Sequence, residues 1–384
     1  MADRTVVVLG GGTGGLVVAR RLRRSLDPAD RVVLVDRSPI YQFAPSFLWV
    51  MSGARRPEQL SADRRRLRRA GIEVLQAEVL SIDPAHRNIK TSETELSFDR
   101  LVIALGAELA PEELPGFADA AHNVYTMEGA AAAGEALRRF NGGRLAVMVS
   151  RLPYKCPAAP YETAFLAEAF LRHSGARDRT TIDIYTPEPY PMPTAGPVLG
   201  KALAAMLDER GITLHAERTV ERIDAASGEL VLSDGERAAY DLLLGVPPHR
   251  APEVLRTSGL AADTGFLTVD RSTLATIAED VFAVGDATVI PIGGGKFLPK
   301  AGVFAEAEAD VVAANIAAEL RGRAPTARFE GKGACFVELG DSRAAFATGN
   351  FYAPEAPEIK LRRPGRHWHL AKVAFEKYWM RRWT

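Results

Sequence analysis

Thr5-Val6-Val7-Val8-Leu9 is a short β-branched run, and Gly10-Gly11-Gly12-Thr13-Gly14-Gly15 follows it directly. A continuous apolar run of this kind suits a strand buried on both faces of a parallel sheet. An amphipathic stretch to Arg24 predicts a helix, and Arg31 to Val35 predicts a second strand ending at Asp36. Gly10, Gly12 and Gly15 match G-x-G-x-x-G, with an acidic residue about twenty positions on. Gly10 permits the tight turn, Gly12 the close approach of a pyrophosphate, and Gly15 the packing of helix on strand. Asp36 is placed to accept hydrogen bonds from a ribose. The helix N-terminus supplies amide donors for the phosphates. Glycines alone would also fit an ordinary loop; the strand, helix, strand and terminal carboxylate together point to a dinucleotide site.

A second pattern bears on which dinucleotide. Val281-Phe282-Ala283-Val284-Gly285-Asp286 ends a β-like stretch in Gly-Asp before another helix. It resembles the second FAD-binding motif of flavoproteins with two dinucleotide-binding domains, where the aspartate contacts the ribityl chain. Leu101-Val102-Ile103-Ala104-Leu105-Gly106 likewise resembles their Ala-Thr-Gly segment, which adds Ala104 and Gly106 to the cofactor residues, with Leu105 in place of threonine. The resemblance implies FAD and an α/β chain of two Rossmann-like domains with a glutathione-reductase-like order. The expected division is 1–110 and 241–320 for the FAD-binding domain, 111–240 for the second Rossmann-like domain, and 321–384 for a C-terminal segment with an amphipathic helix.

Length and composition agree with such a chain. The 384 residues are comfortable for two domains, each with its own core. Lysines and arginines (48) balance aspartates and glutamates (48), so no global field gathers nucleic acid. No run of about 18 apolar residues predicts a spanning helix. Met1-Ala2-Asp3-Arg4 leads into the first strand without a signal-peptide pattern, so the expected location is cytoplasmic. Two cysteines cannot form a secretory disulfide framework.

The second domain's opening strand is expected at Leu145 to Val149, with others at Thr181 to Tyr185 and Glu229 to Leu232. A nicotinamide-using chain would place another glycine fingerprint after the first of these. Here Ser150-Arg151-Leu152-Pro153-Tyr154-Lys155-Cys156-Pro157 follows, and no glycine occurs between Gly143 and Gly175. Bulky side chains and prolines there would deprive a pyrophosphate of free amides. Cys156 and Cys335 are the chain's two cysteines. They can be read as small buried apolar groups or as a redox pair. A following helix and Lys155 would both favour the Cys156 thiolate.

The FAD motifs, Lys155-Cys156-Pro157 with Pro160-Tyr161-Glu162, Leu298-Pro299-Lys300-Ala301-Gly302 and Cys335 together resemble the sulfide:quinone oxidoreductases and the flavin subunit of flavocytochrome c sulfide dehydrogenase. Phe43-Ala44-Pro45-Ser46-Phe47-Leu48-Trp49-Val50 resembles a family segment near the flavin. Members often carry a third cysteine earlier in the chain; none precedes Cys156 here. The resemblance implies sulfide oxidation through Cys156 and Cys335, with electrons passing by way of FAD to a membrane quinone. Cys156 would carry the growing sulfur chain and Cys335 would address the flavin, roles that the sequence barely separates. Glu162 is the candidate for proton handling, or an ordinary helix-start glutamate. Lys300 is a candidate for stabilising negative charge, or a solvated lysine. No metal ligands are expected. A type II NADH:quinone oxidoreductase and a cytochrome-coupled sulfide dehydrogenase are the alternatives.

Three of the four tryptophans lie after residue 366. Trp368, Ala371, Phe375, Tyr378, Trp379 and Arg382 recur at helical spacing among basic residues, which suits an interfacial, monotopic membrane helix. Docking on the chain's own domain or on a twin subunit is the other reading, and a homo-oligomer stays open. A quinone channel would draw on Phe336, Phe351, Tyr352, Phe375 and Tyr378. Pro187 to Pro193 reads as a rigid loop near the sulfur site, and Arg64-Arg65-Arg66-Leu67-Arg68-Arg69 as a solvated basic face.

Overall fold

A computed structural model describes residues 3–384; Met1 and Ala2, the start of the segment read for a signal peptide, lie outside the described residues. The first unit runs β1 (Thr5–Leu9), α1 (Thr13–Ser25), β2 (Arg31–Asp36), β3 (Glu73–Gln76) and β4 (Arg100–Ile103). The chain crosses out through β5 (Glu108–Leu109) and builds the second unit from β6 (His122–Asn123), β7 (Gly143–Val149), α2 (Ala159–His173), β8 (Thr180–Tyr185), β9 (Ile212–His215) and β10 (Leu242–Val246). It crosses back through β11 (His249–Arg250), adds β12 (Val281–Ala283) and α3 (Gly302–Glu319), and ends in β13 (Lys332–Glu338), β14 (Ala344–Asn350), β15 (Glu358–Gly365) and α4 (Arg366–Trp383).

Two five-stranded parallel sheets form the centre, in the orders β12-β4-β1-β2-β3 and β6-β10-β7-β8-β9. Their strands read as unbroken Val, Leu and Ile runs because both faces are covered: Val6, Val7, Val8 and Leu9 are all fully buried. Helices α1 and α3 pack on each other beside the first sheet. Gly14 lets α1 approach the end of β12, since a Cβ there would meet the Val284 side chain at 2.9 Å.

The two crossings pair antiparallel, Glu108 with Arg250 and Leu109 with His249. Leu242–Val246 still belongs to the second sheet, so the chain re-enters the first unit at 247–250 and not at 240. Glu229–Leu232 also departs from expectation. It lies in a three-stranded antiparallel ribbon with Val220–Asp224 and Arg237–Ala239, outside the parallel sheet. Its alternating buried and half-buried residues are those of a strand with one face covered.

The C-terminal segment is a three-stranded antiparallel sheet, β13-β14-β15, followed by α4. Trp379 is 2 % exposed and Trp383 fully buried. Trp379 packs against Phe43 and donates Nε1–H to the Tyr41 hydroxyl at 2.7 Å. Arg20 on α1 donates to the carbonyl oxygens of Trp383 and Thr384 at 3.2 and 2.8 Å. The tryptophan face read as a membrane contact is therefore sealed onto the first unit. The exposed face carries Leu370, Ala374, Lys377, Tyr378 and Arg381. Among the described residues no helix is long and apolar enough to cross a membrane.

Candidate active site between the two sheets

The loops after β1, β4 and β12 meet at the carboxyl ends of the first sheet, where ligands bind in open parallel sheets. Gly10 has φ +94°, and a Cβ there would sit 2.3 Å from the Ala104 carbonyl oxygen. A Cβ on Gly15 would come within 1.8 Å of the Gly10 carbonyl oxygen. Around Gly12 and Gly106, by contrast, a Cβ would meet nothing within 4 Å. The first turn of α1 has no acidic residue and no side-chain cap, so its amides are free for an anion. Tight packing behind the loop and open space in front of it form a cradle that fits the pyrophosphate of FAD.

Asp36 stands at the end of β2, accepting the Gly11 N–H at 2.6 Å and the Ser38 N–H at 2.8 Å. Beside it lies Arg64, which is no part of a solvated face. It is 8 % exposed and donates to the carbonyl oxygens of Gly11 (2.9 Å), Ser38 (2.7 Å) and Ile40 (2.6 Å). Its guanidinium is 3.5 Å from Asp36. The remaining arginines of the run, Arg65, Arg66, Arg68 and Arg69, are exposed.

Gly285 (φ +69°) and Asp286 open a short 3₁₀ turn after β12. Glu308 on α3, buried, accepts the Gly285 N–H at 2.6 Å. Burial pushes the Glu308 carboxyl up to about 7. Lys300 is half-buried, with its ammonium engaged by the fold. Its Nζ donates to the carbonyl oxygens of Asp286 (2.7 Å) and Thr288 (2.9 Å) and lies 3.6 Å from the Phe266 ring centroid. Burial lowers it to about 8, against the pull of Asp286 and Glu308. The backbone oxygen of the same lysine accepts the Cys156 N–H at 2.7 Å.

Cys156 precedes α2, with φ +53°. Cys335 lies on β13, paired with Ala347 of β14. Both are half-buried free thiols. They lie within reach of the same charges: burial, then Cys156 and Glu162, push the Cys335 thiol up, and Lys372 opposes them. Burial and then Glu162 push Cys156 up to about 12. The thiolate expected from the helix start and Lys155 is thus overridden, because desolvation costs more than those charges return.

Glu162, 4 % exposed, accepts the Glu338 N–H at 2.8 Å and Lys372 Nζ at 2.9 Å on the same oxygen, Oε1. Glu338 in turn meets His369 Nδ1 at 3.0 Å. Burial acts to lower the Lys372 pKa, but Glu162 and Glu338 outweigh it and the net shift is upward. Lys372, Glu338 and His369 carry no local sequence signal as site residues. Lys372 and His369 also rest against Trp49, so the Phe43–Val50 segment packs on α4.

Glu188, in the Pro187–Pro193 loop, was also unmarked. Buried at 2 % exposure, it accepts from the Tyr154 hydroxyl at 3.0 Å and from the Tyr161 hydroxyl, fastening this loop to the Cys156 loop. The five aromatics proposed for a quinone channel do not form one group. Phe336 joins Phe346, which stacks on Trp368; Phe351 and Tyr352 share a cluster through Phe304 and Phe329; Phe375 joins Phe43 and Trp379; Tyr378 is exposed.

A glycine cradle at one parallel sheet and a paired-cysteine pocket beside the next define a flavoprotein oxidoreductase with two dinucleotide-type domains. The chain belongs to the pyridine nucleotide-disulphide oxidoreductase family, whose model matches residues 4–148 and 163–309. The unmatched stretch between these two blocks contains Cys156 and Glu162. Within the family the chain resembles sulfide:quinone oxidoreductases. It is 26% identical over 368 residues to the mitochondrial sulfide:quinone oxidoreductase of Mus musculus, covering 91% of this chain and 78% of that one. It is 26% identical over 399 residues to the sulfide-quinone reductase of Aquifex aeolicus, covering 98% and 90%. The solved structure of the Aquifex aeolicus sulfide:quinone oxidoreductase superposes with a TM-score of 0.90 at 25% identity, covering 98% of this chain and 91% of that one. The chain is an FAD-dependent oxidoreductase.

Proposed function

We propose that this chain oxidises sulfide to sulfane sulfur through Cys156 and Cys335 and delivers the electrons to a membrane quinone. The observation that carries the reading is that the chain's two cysteines, from distant segments, come close enough to feel each other's charge and that of the buried Glu162–Lys372 pair. The relatives' printed names, sulfide:quinone oxidoreductase and sulfide-quinone reductase, support the substrate pair.

In the oxidised pocket, hydrosulfide attacks Cys156 Sγ of a Cys156–Cys335 disulfide. The S–S bond breaks, Cys335 leaves as thiolate, and Cys156 carries a persulfide. A second hydrosulfide takes the outer sulfur from Cys156 as the disulfide anion HSS−, leaving the Cys156 thiol; Cys156 and Cys335 then re-form their disulfide with the loss of one proton and two electrons. FAD held in the glycine cradle would supply the two-electron acceptor between the cysteines and the quinone. Glu162 takes up the proton, with Lys372 and the Glu338 amide fixing its Oε1. Lys300 places a positive charge beside the Gly285–Asp286 loop, where negative charge grows on reduction. Gly10, Gly12, Gly15, Asp36, Ala104, Gly106, Gly285 and Asp286 hold the cofactor. Leu370, Lys377, Tyr378 and Arg381 on the open face of α4 suit a peripheral contact with an anionic bilayer on the cytoplasmic side.

Anaerobic titration of the holoenzyme with sulfide, then with a soluble quinone, tests the reading. Sulfide bleaches the flavin and quinone restores it. Cys156→Ala and Cys335→Ala keep FAD and lose sulfide-dependent quinone reduction; wild-type turnover in both variants would sink the cysteine mechanism.

A further inference from the structure

His249 sits at the crossing between the two units, 6 % exposed. Its Nδ1 lies 2.9 Å from the Pro247 carbonyl oxygen, which fixes that nitrogen as the N–H donor. Nε2 is left as a bare acceptor, buried and without a partner among the described residues. A buried orphan acceptor costs free energy and calls for an explanation. The ring meets Tyr125 edge-on, centroids 5.4 Å apart, and the Tyr125 hydroxyl donates to the Cys156 carbonyl oxygen at 3.1 Å. His249 thus lies one side chain away from the reacting cysteine.

Lys155 has the complementary property. It adjoins Cys156, it is half-buried, and its ammonium has no hydrogen-bond or ion-pair partner among the described residues. Lys300, its neighbour across the Cys156 amide, is by contrast fully engaged with two carbonyl oxygens. Burial lowers Lys155, while Asp286 and Cys156 pull it up. Burial and then Lys155 hold His249 down to about 3, so its imidazole stays neutral and accepts without taking a proton.

One unpaired cation adjoins Cys156 in the chain, and one unpaired neutral acceptor lies behind Tyr125, whose hydroxyl bonds to the Cys156 backbone. Their ligand is a small monoanion carrying a single donor hydrogen, and hydrosulfide has that chemistry. We propose that Lys155 and His249 form the uptake pocket for hydrosulfide beside Cys156, the ammonium holding the anionic sulfur and His249 Nε2 accepting the S–H. The pocket rests on the sulfide reading above and adds where that substrate waits before it attacks. Positioning the anion by two side chains holds it beside the Cys156 sulfur that it attacks.

The test follows flavin bleaching in anaerobic stopped-flow on FAD-loaded holoenzyme across a range of sulfide concentrations. Lys155→Met raises the half-saturating sulfide concentration about ten-fold, the worth of one charge-assisted hydrogen bond, with little change in limiting rate. Lys155→Arg restores most of it. His249→Phe, close in volume, also raises half-saturation and removes the preference for hydrosulfide over methanethiolate, which has no S–H to donate. Reduction by dithionite stays at the wild-type rate in all variants, and FAD per chain reports that each is folded. Wild-type sulfide dependence in both Lys155→Met and His249→Phe would overturn the pocket while leaving the sulfide reading intact. So would a changed flavin spectrum with unchanged half-saturation, which would assign Lys155 to the cofactor. A wild-type holoenzyme that sulfide does not bleach would instead overturn the sulfide reading, and the pocket with it.

Discussion

Lys372 on the C-terminal helix donates to Glu162 on the helix after Cys156 at 2.9 Å, with both side chains buried. The last helix of the chain is thereby built into the sulfur pocket and is not an appendage to it.

Removing one partner of this pair strands the other's charge. Lys372→Met should cost about 3–5 kcal/mol of stability, the range for breaking a buried ion pair. Lys372→Met with Glu162→Gln should cost clearly less than the sum of the single changes. Chemical denaturation of the four proteins checks the non-additivity, and additive costs would refute the pairing.

At Gly10 the cradle combines a close backbone contact with a left-handed φ. Gly10→Ala places a Cβ 2.3 Å from a backbone oxygen at φ +94°. The variant should purify with FAD largely lost. Absorbance at the flavin band per chain reads this directly, and full occupancy would contradict the geometry.

Burial raises Glu188 to about 7, against the lowering effect of Tyr161 and Tyr154. A carboxyl that holds its proton more tightly in the folded chain contributes stability at acid pH, fully present below the unfolded carboxyl range. That contribution is lost as pH rises through 7, because the native state then binds more protons than the unfolded one. Glu188→Gln should flatten the fall in stability between pH 5 and pH 8, by roughly 3 kcal/mol from end to end. Parallel pH profiles for wild type and variant would rule this out.

Trp379→Ala empties a packed site under Phe43 and breaks the bond to Tyr41. The expected loss is roughly 3–5 kcal/mol, visible as a lowered thermal midpoint. A helix docked only on lipid would lose nothing in detergent-free buffer.

NADH mixed anaerobically with the holoenzyme should leave the oxidised flavin band unchanged. The Cys156 amide is committed to Lys300, and Tyr154 and Tyr161 are fastened to Glu188 where an open phosphate loop would lie. Rapid bleaching would restore the nicotinamide alternative.

The cofactor cradle was legible from residues 5–36 because a phosphate loop is local: strand, glycines, helix and carboxylate follow within one βαβ unit. The sulfur pocket was legible in its cysteines and in Glu162, but not in Lys372, which lies 210 residues from its partner. His249 carries no pattern either, since a lone histidine after two prolines reads the same on a surface as in a core. Arg64 was hidden inside a run of arginines whose other members are solvated, so composition averaged away the one that matters. The aromatic stripe of α4 was legible as a helix, but its spacing did not say that Trp379 and Trp383 are buried while Tyr378 is exposed. Burying tryptophans against lipid or against Phe43 asks for the same spacing, and only the tertiary partner separates them.

Lys300 joins two loops that a grafting experiment would treat as separate modules. Its side chain grips the turn after β12, while its main chain grips the turn before α2. Transplanting 150–158 alone into a nicotinamide-dependent relative would therefore deliver the cysteine without its fastening. A working chimera has to carry 285–300 as well, so evolutionary exchange between these chemistries requires two coordinated replacements.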